Sequence, residues 1–245
     1  MWYRIFQFLI YLYKGQTNSK LHSPFVFQFY QQVLHAFSEH KEVRKYINNS
    51  NSPQNILSMH IENTICSYFI NSKIPPIADS IILKSIEYFQ CENIVLIGSA
   101  LNKQLLYINN KNKYKNLILF YNNESNAEVM RYFLDQNSIC ATIYEGDYEN
   151  SIKEMNKSIP RIDMVYFGET ELELLSLKYI KKLLENIHDS SIFIFENIHK
   201  NKENMEFFEY VKTLPEVTIS IDLYYLGILF FTKKIKQQQS FILKF

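Results

Sequence analysis

Short apolar runs alternate with helical stretches along the middle of this chain. The runs have five or six residues each and occupy 93–98, 116–121, 140–144, 162–167 and 191–196. Residues 124–136 and 171–187, which lie between runs, carry apolar positions at helical spacing. Continuous apolar strands that alternate with helices are typical of a parallel sheet covered by helices on both faces. The pattern predicts an α/β domain over residues 91–245.

The pattern changes after residue 215. The segment VTISIDLYYLGILFF, residues 217–231, contains two strand-like runs with too few residues between them for a helix, and residues 240–245 add another run. Strands joined by a short connection pair antiparallel. We therefore predict a mostly parallel, seven-stranded sheet that finishes in an antiparallel C-terminal hairpin.

Residues 1–90 predict an N-terminal helical extension. Its helices are expected at the N-terminus and around 24–38, 40–48 and 75–90, with a polar loop at 48–55. Before the second helix, Ser23 is a candidate N-cap and Pro24 suits the first helical position.

The first helix is amphipathic and too short to cross a bilayer, which takes about 20 apolar residues. Its apolar positions recur at helical spacing and are Trp2, Ile5, Phe6, Leu9 and Leu12. Such a face packs on the same chain, on a protein partner or on a second copy in a homodimer. Attachment to a membrane surface is the alternative, although interfacial helices usually carry more Lys and Arg.

Charge and cysteine content narrow the class of protein. The chain has 26 basic and 25 acidic residues among its 245, a net charge of +1, and nucleic-acid binding would need a basic face. Cys66, Cys91 and Cys140 are far apart and form no C-x-x-C pair. These features indicate no disulfide framework and no structural zinc, and they predict a cytoplasmic protein without a nucleic-acid partner.

Three of the five glycines fall near strand ends in the α/β region, and they are Gly98, Gly146 and Gly168. In an open parallel sheet, ligands bind beyond the carboxyl ends of the strands. The glycines either leave room for a ligand there or simply supply turns. Position alone favours neither reading.

Three segments carry a family resemblance: LHSPFVF at 21–27, FENIHK at 195–200 and the hairpin at 217–231. They resemble a bacterial family of class I S-adenosylmethionine (SAM)-dependent methyltransferase-like proteins. The likeness runs from about residue 21 to the end of the chain. It implies a Rossmann-like class I methyltransferase fold with SAM as cofactor.

The resemblance also implies which residues bind SAM. They are Gly98, Ser99 and Leu101 in the first loop, Tyr121 and Asn122 after the second strand, Asp147 near the adenine, and Gly168 after the fourth strand.

Several of these positions depart from the family pattern. Leu96 replaces a usual acid, Asn102 replaces the last glycine of the loop, and Tyr121 stands where an acid normally binds the ribose. Losing a charged hydrogen bond costs about 1.5–3 kcal/mol. The departures predict weakened SAM binding.

The segment FENIH offers candidate catalytic residues on the acceptor side. Glu196 and Asn197 match the position of the acid-amide pair in metal-dependent O-methyltransferases, although Gly168 offers no third ligand, so no metal residue is assigned. The alternative is that both residues cap the following helix. His199 is either a general base or a surface or helix-starting histidine.

Two functions remain open from sequence. One is a non-catalytic binding or scaffolding subunit, a pseudoenzyme that works with a protein partner. The other is an active SAM-dependent O-methyltransferase that uses an atypical cofactor loop on a small molecule. Peripheral membrane attachment through residues 1–14 is a third reading.

Overall fold

The computed structural model describes residues 2–17, 21–35, 76–98, 105, 108–109, 114–168 and 176–244. Within these residues eight strands form one sheet. They are β1 (Asn93–Ile97), β2 (Asn116–Tyr121), β3 (Thr142–Glu145), β4 (Met164–Phe167), β5 (Ile192–Glu196), β6 (Ile219–Asp222), β7 (Leu226–Phe230) and β8 (Gln239–Ile242). The order across the sheet is β3-β2-β1-β4-β5-β7-β6-β8.

The sheet is mostly parallel. Strands β1 to β5 pair parallel with one another, and β7 pairs antiparallel with both β5 and β6. The predicted mostly parallel sheet and C-terminal hairpin are confirmed. The predicted count of seven strands is one short, because β8 adds to β6 in parallel and extends the sheet at that edge.

The described helices number seven; five of them overlap predicted ranges, and no range was predicted for the helices at 148–158 and 202–212. The seven helices are α1 (Trp2–Lys14), α2 (Pro24–Phe29), α3 (Pro76–Phe89), α4 (Glu124–Gln136), α5 (Tyr148–Ser158), α6 (Leu177–Leu184) and α7 (Lys202–Lys212). A π-helical turn, Tyr30–Leu34, continues α2. Helix α6 begins later than the pattern predicted, and its N-cap Ser176 accepts a hydrogen bond from the Lys178 amide. The predicted helix at 40–48 and the loop at 48–55 lie outside the described residues.

Alternating side chains divide the sheet into two apolar faces. On one face Ile94 and Leu96 of β1 pack with α2, its π-helical turn, α3 and α4. On the other face Val95 and Ile97 pack with α5, α6 and α7. Burial on both sides explains why the strands are continuously apolar.

The described parts of the N-terminal extension join the same core. Val26 and Phe29 of α2 are fully buried, and the Phe29 ring meets the Phe230 ring of β7 edge-to-face at 5.3 Å. Pro24 is at the start of α2 as predicted, whereas Ser23 occupies the N-cap position without making a side-chain cap bond. The proposed boundary between residues 1–90 and 91–245 stays a prediction.

In the described part of the chain, every helix is too short or too polar to cross a membrane.

Candidate functional site

Three glycines lie along the carboxyl edge of the sheet. Gly98, Gly146 and Gly168 follow β1, β3 and β4, and each amide completes the strand ladder. The Gly98 amide donates to the Phe120 carbonyl at 3.0 Å, and the Gly168 amide donates to the Ile97 carbonyl at 2.9 Å. The glycines therefore mark the edge where the strand order reverses between β1 and β4, the usual ligand position in this kind of sheet.

Two of these glycines adopt a backbone that favours glycine. Gly98 has φ +60° and Gly146 has φ +88°. A Cβ added to Gly146 would meet no atom of the described residues within 4 Å, so these residues leave space beside it. Of the other predicted loop residues, Ser99 and Leu101 lie outside the described residues.

The end of β2 presents polar groups to solvent but directs Tyr121 inward. Tyr121 follows Leu117 and Leu119 on one face of the strand and is buried in the same cluster. Asn122 is exposed, and its side-chain oxygen accepts a hydrogen bond from Asn123 at 3.1 Å. The Tyr121 ring, which the resemblance assigned to the ribose side of a cofactor site, thus belongs to the hydrophobic core.

Asp147 serves as the N-cap of α5. Its carboxylate oxygens accept hydrogen bonds from the amides of Glu149 at 3.2 Å and Asn150 at 3.3 Å. The side chain is exposed beside Gly146. Its local role is to satisfy amides of the first turn of the helix.

Glu196 ends β5 and is tied to the neighbouring strand. The Tyr166 hydroxyl of β4 donates a hydrogen bond to Glu196 Oε2 at 2.9 Å. Glu196 is 8% exposed and Tyr166 is fully buried. A buried carboxylate needs such partners because water no longer solvates it.

Asn197 forms a turn in the left-handed region, with φ +50°. Its amide donates to the Tyr225 carbonyl at 2.7 Å, and its carbonyl accepts from the Lys200 amide at 2.8 Å. Only 3% of the residue is exposed. The capping interpretation of Glu196 and Asn197 is wrong, because Asn201 is the N-cap of α7 and accepts from the Asn204 amide at 2.8 Å.

His199 is buried in a polar cluster at the same edge, with 5% of the residue exposed. Its Nε2 lies 2.8 Å from Asp222 Oδ2, at the end of β6. The ring stacks on Tyr224, with centroids 5.0 Å apart and planes 12° apart. The alternative of a surface histidine is wrong.

The contact with Asp222 indicates which ring nitrogen of a neutral His199 carries the proton. Asp222 accepts from Nε2, so a neutral imidazole carries its proton there and leaves Nδ1 unprotonated. Among the described residues, Nδ1 has no hydrogen-bond partner although it is buried. In that tautomer Nδ1 is the ring nitrogen that can accept a proton.

Sequence reasoning missed Asp222 and Tyr224 as members of this cluster. Asp222 also accepts a hydrogen bond from the Tyr224 amide at 2.7 Å, which holds the turn between β6 and β7. The available signal was that Asp222 is an acid at the end of a predicted strand. Strands β5 and β6 are both antiparallel to β7, so they run in the same direction and their ends lie at the same edge of the sheet. Within the described ranges, no group of three or more His, Cys, Asp or Glu side chains could hold a metal ion.

Solved structures of methyltransferases share this architecture. A methyltransferase of Podospora anserina bound to SAH is 11% identical, with a TM-score of 0.57 over 80% of this chain and 96% of its own. An O-methyltransferase of Bacillus cereus in complex with SAH is 10% identical, with a TM-score of 0.53 over 77% and 97%. The O-methyltransferase TomG of Streptomyces achromogenes, solved with SAM, is 12% identical, with a TM-score of 0.53 over 78% and 96%.

These similarities show that the chain has the class I methyltransferase fold. The sequence comparisons add no family assignment, because no protein-family model and no curated protein matches the chain.

Proposed function

We propose that this chain is a methyltransferase-fold binding or scaffolding subunit that transfers no methyl group. The observation that carries the proposal is that Glu196, Asn197 and His199, the three candidate residues on the acceptor side, all make contacts within the protein. Glu196 accepts from Tyr166, Asn197 forms a turn with Tyr225, and His199 lies between Asp222 and Tyr224. All three are buried, so a substrate reaches them only if these contacts open.

The cofactor side supports the same proposal. Tyr121 is buried at the position where the family pattern has an acid for the ribose, and the exposed acid nearest in sequence is Glu124 in the first turn of α4. A carboxylate that binds the ribose hydroxyls contributes a charge-assisted hydrogen bond. Without it, SAM affinity falls by about tenfold for each 1.4 kcal/mol lost.

Calorimetric titration of the full chain with SAM and with S-adenosylhomocysteine tests the proposal. We expect no heat of binding at about millimolar ligand, the range in which binding contributes only about 4 kcal/mol. Circular dichroism on the same sample checks that the protein is folded. Micromolar binding followed by methyl transfer to a small-molecule hydroxyl would overturn the proposal.

An active SAM-dependent O-methyltransferase is the second candidate. Two observations on the described residues favour it: they give His199 Nδ1 no hydrogen-bond partner, and they leave space beside Gly146. SAM would supply an electrophilic methyl group to the acceptor oxygen and would leave as S-adenosylhomocysteine. His199 Nδ1 would take the proton of the acceptor hydroxyl, and Asp222 would stabilise the resulting imidazolium.

Methyl transfer by the wild-type chain separates the two candidates, and the variant His199→Gln then tests whether His199 is the base. In an enzyme this variant abolishes methyl transfer while SAM affinity is retained, because His199 lies on the acceptor side. Asn201→Asp is the matched control, since it lies two residues away and retains a capping oxygen for α7.

A further inference from the structure

The most exposed apolar surface of the described chain lies on α1. The outward stripe consists of Trp2, Ile5, Phe6, Leu9, Leu12 and Tyr13. Trp2 is 85% exposed, Tyr13 89% and Phe6 62%. Since successive helical residues are 100° apart, the stripe covers about 120° of the helix. A patch of this kind on a folded protein marks an interaction surface.

The opposite side of α1 is fixed to the rest of the fold. The Tyr11 ring is buried and packs against Tyr224 at 5.6 Å. The Tyr224 hydroxyl donates to the Arg4 carbonyl at 2.8 Å, and Lys244 Nζ donates to the Leu12 carbonyl at 2.8 Å. The helix is therefore held with its apolar stripe turned away from the described part of the fold.

We propose that the outward stripe pairs with the same stripe of a second copy of this chain, antiparallel about a two-fold axis. The six side chains offer on the order of 800 Å² of accessible surface, since one large aromatic side chain presents roughly 150–250 Å². A standard interface buries about 800 Å² on each partner. The area of the stripe thus matches the requirement of a stable dimer.

The order of residues along α1 suits this symmetry. In the register that we propose for the antiparallel pair, Phe6 of one copy lies opposite Leu9 of the other, and Trp2 lies opposite Tyr13. A two-fold interface uses the same patch on both copies, so each contact occurs twice. Phe6 and Leu9 are three residues apart and share one side of the helix.

Charge favours a second copy over a membrane surface. Arg4 and Lys14 are the only charged residues of α1, and neither belongs to the stripe. Helices that lie in a membrane interface usually carry a polar face rich in Lys and Arg. The net charge of +1 adds little attraction to an anionic surface. The dimer does not depend on SAM binding, because the stripe does not include the glycine edge.

Sedimentation and light scattering of the full chain at several concentrations test the pairing. We expect a mass near twice 29.3 kDa, falling to the monomer on dilution. Phe6→Glu and Leu9→Lys each shift dissociation to at least tenfold higher concentration. The control Tyr210→Glu, at an exposed aromatic of α7, leaves the dimer intact.

The double variant Phe6→Glu with Leu9→Lys tests the antiparallel arrangement. Each glutamate then faces a lysine of the other copy, so the dimer is restored relative to either single variant. A double variant that stays monomeric overturns the pairing.

Trp2 is the only tryptophan of the chain and reports on the stripe directly. Its fluorescence should shift to the red and become more quenched by acrylamide as the dimer dissociates. Two results overturn the proposal. One is a monomer whose Trp2 is shielded only when vesicles containing anionic lipid are added. The other is a monomer whose Trp2 is shielded at every concentration, which means that the same chain covers the stripe.

Discussion

Asp163 joins three separate segments at the amino edge of the sheet. Its Oδ2 accepts hydrogen bonds from the amides of Glu92 at 3.0 Å and Asn93 at 2.8 Å. Its Oδ1 lies 2.8 Å from His188 Nε2 and 3.2 Å from Arg161 Nε. Burial by itself raises the pKa of Asp163, but the hydrogen bonds outweigh burial and lower the pKa below its ordinary value.

Asp163→Asn should lower the free energy of unfolding by about 2 kcal/mol at pH 7, because hydrogen bonds to a charged acceptor contribute about 1.5–3 kcal/mol. A carboxyl whose pKa is lowered in the folded state stabilises the fold above its unfolded pKa of about 3.9. That stability is lost as the pH falls through the folded pKa. The difference between wild type and variant should therefore shrink towards pH 3.

Urea unfolding of both proteins at pH 7 and pH 3 measures this effect. Glu209→Gln is the control, because Glu209 forms an exposed pair with Lys212 and should change stability little. A difference that stays constant between the two pH values would exclude ionised Asp163 as the source.

At the scale of elements, α7 illustrates how helix caps place the candidate site. The chain leaves β5 at Glu196, turns at Asn197 and starts α7 only after Asn201. The intervening residues form the turn that brings His199 to the end of β6. The cap fixes where the helix begins, and therefore how much chain remains for this turn.

Asn201→Ala should destabilise the protein by about 1 kcal/mol, because the amide of Asn204 loses its acceptor. Asn201→Asp should stay within a few tenths of a kcal/mol of wild type, since a carboxylate accepts the same bond. Thermal and urea unfolding of the two variants measure the difference. Equal stability of both would show that α7 does not depend on this cap.

At the scale of the whole molecule, the two ends of the chain stabilise each other. The Gln16 amide donates to the Ile242 carbonyl at 2.7 Å, and the Lys244 amide donates to the Gln16 carbonyl at 2.9 Å. The Tyr30 hydroxyl donates to the Lys244 carbonyl at 3.0 Å. Leu243, fully buried, lies at the centre of these contacts. The segment around β8 thus connects α1 and α2 to the sheet.

Leu243→Ala should lower the free energy of unfolding by about 2–5 kcal/mol, the usual range for removing a buried leucine. It should also speed tryptic cleavage after Lys14, because α1 loses part of its support. Limited proteolysis and urea unfolding measure the two effects. Lys236→Ala, in the exposed loop before β8, is the control. Cleavage at the wild-type rate would show that α1 is held independently of β8.

The sequence by itself determined most of the sheet. The apolar runs at 93–98, 116–121 and 191–196 correspond to β1, β2 and β5, and the predicted helix at 124–136 is α4. These elements follow from local pattern, since each strand is buried on both faces and each helix has one apolar side. The seven-strand count was one short although the apolar run at 240–245 was recognised, because only its pairing with β6 shows that this run belongs to the same sheet.

The tertiary structure alone decided how the candidate residues are used. The sequence named Glu196, Asn197 and His199 but not their partners. Tyr166 lies 30 positions from Glu196, and Asp222 lies 23 positions from His199. The tertiary structure also showed that the apolar stripe of α1 points away from the described part of the fold, because Tyr11 and the backbone of α1 make the inward contacts. Periodicity identifies an apolar face, but only packing against the rest of the fold determines which way that face points.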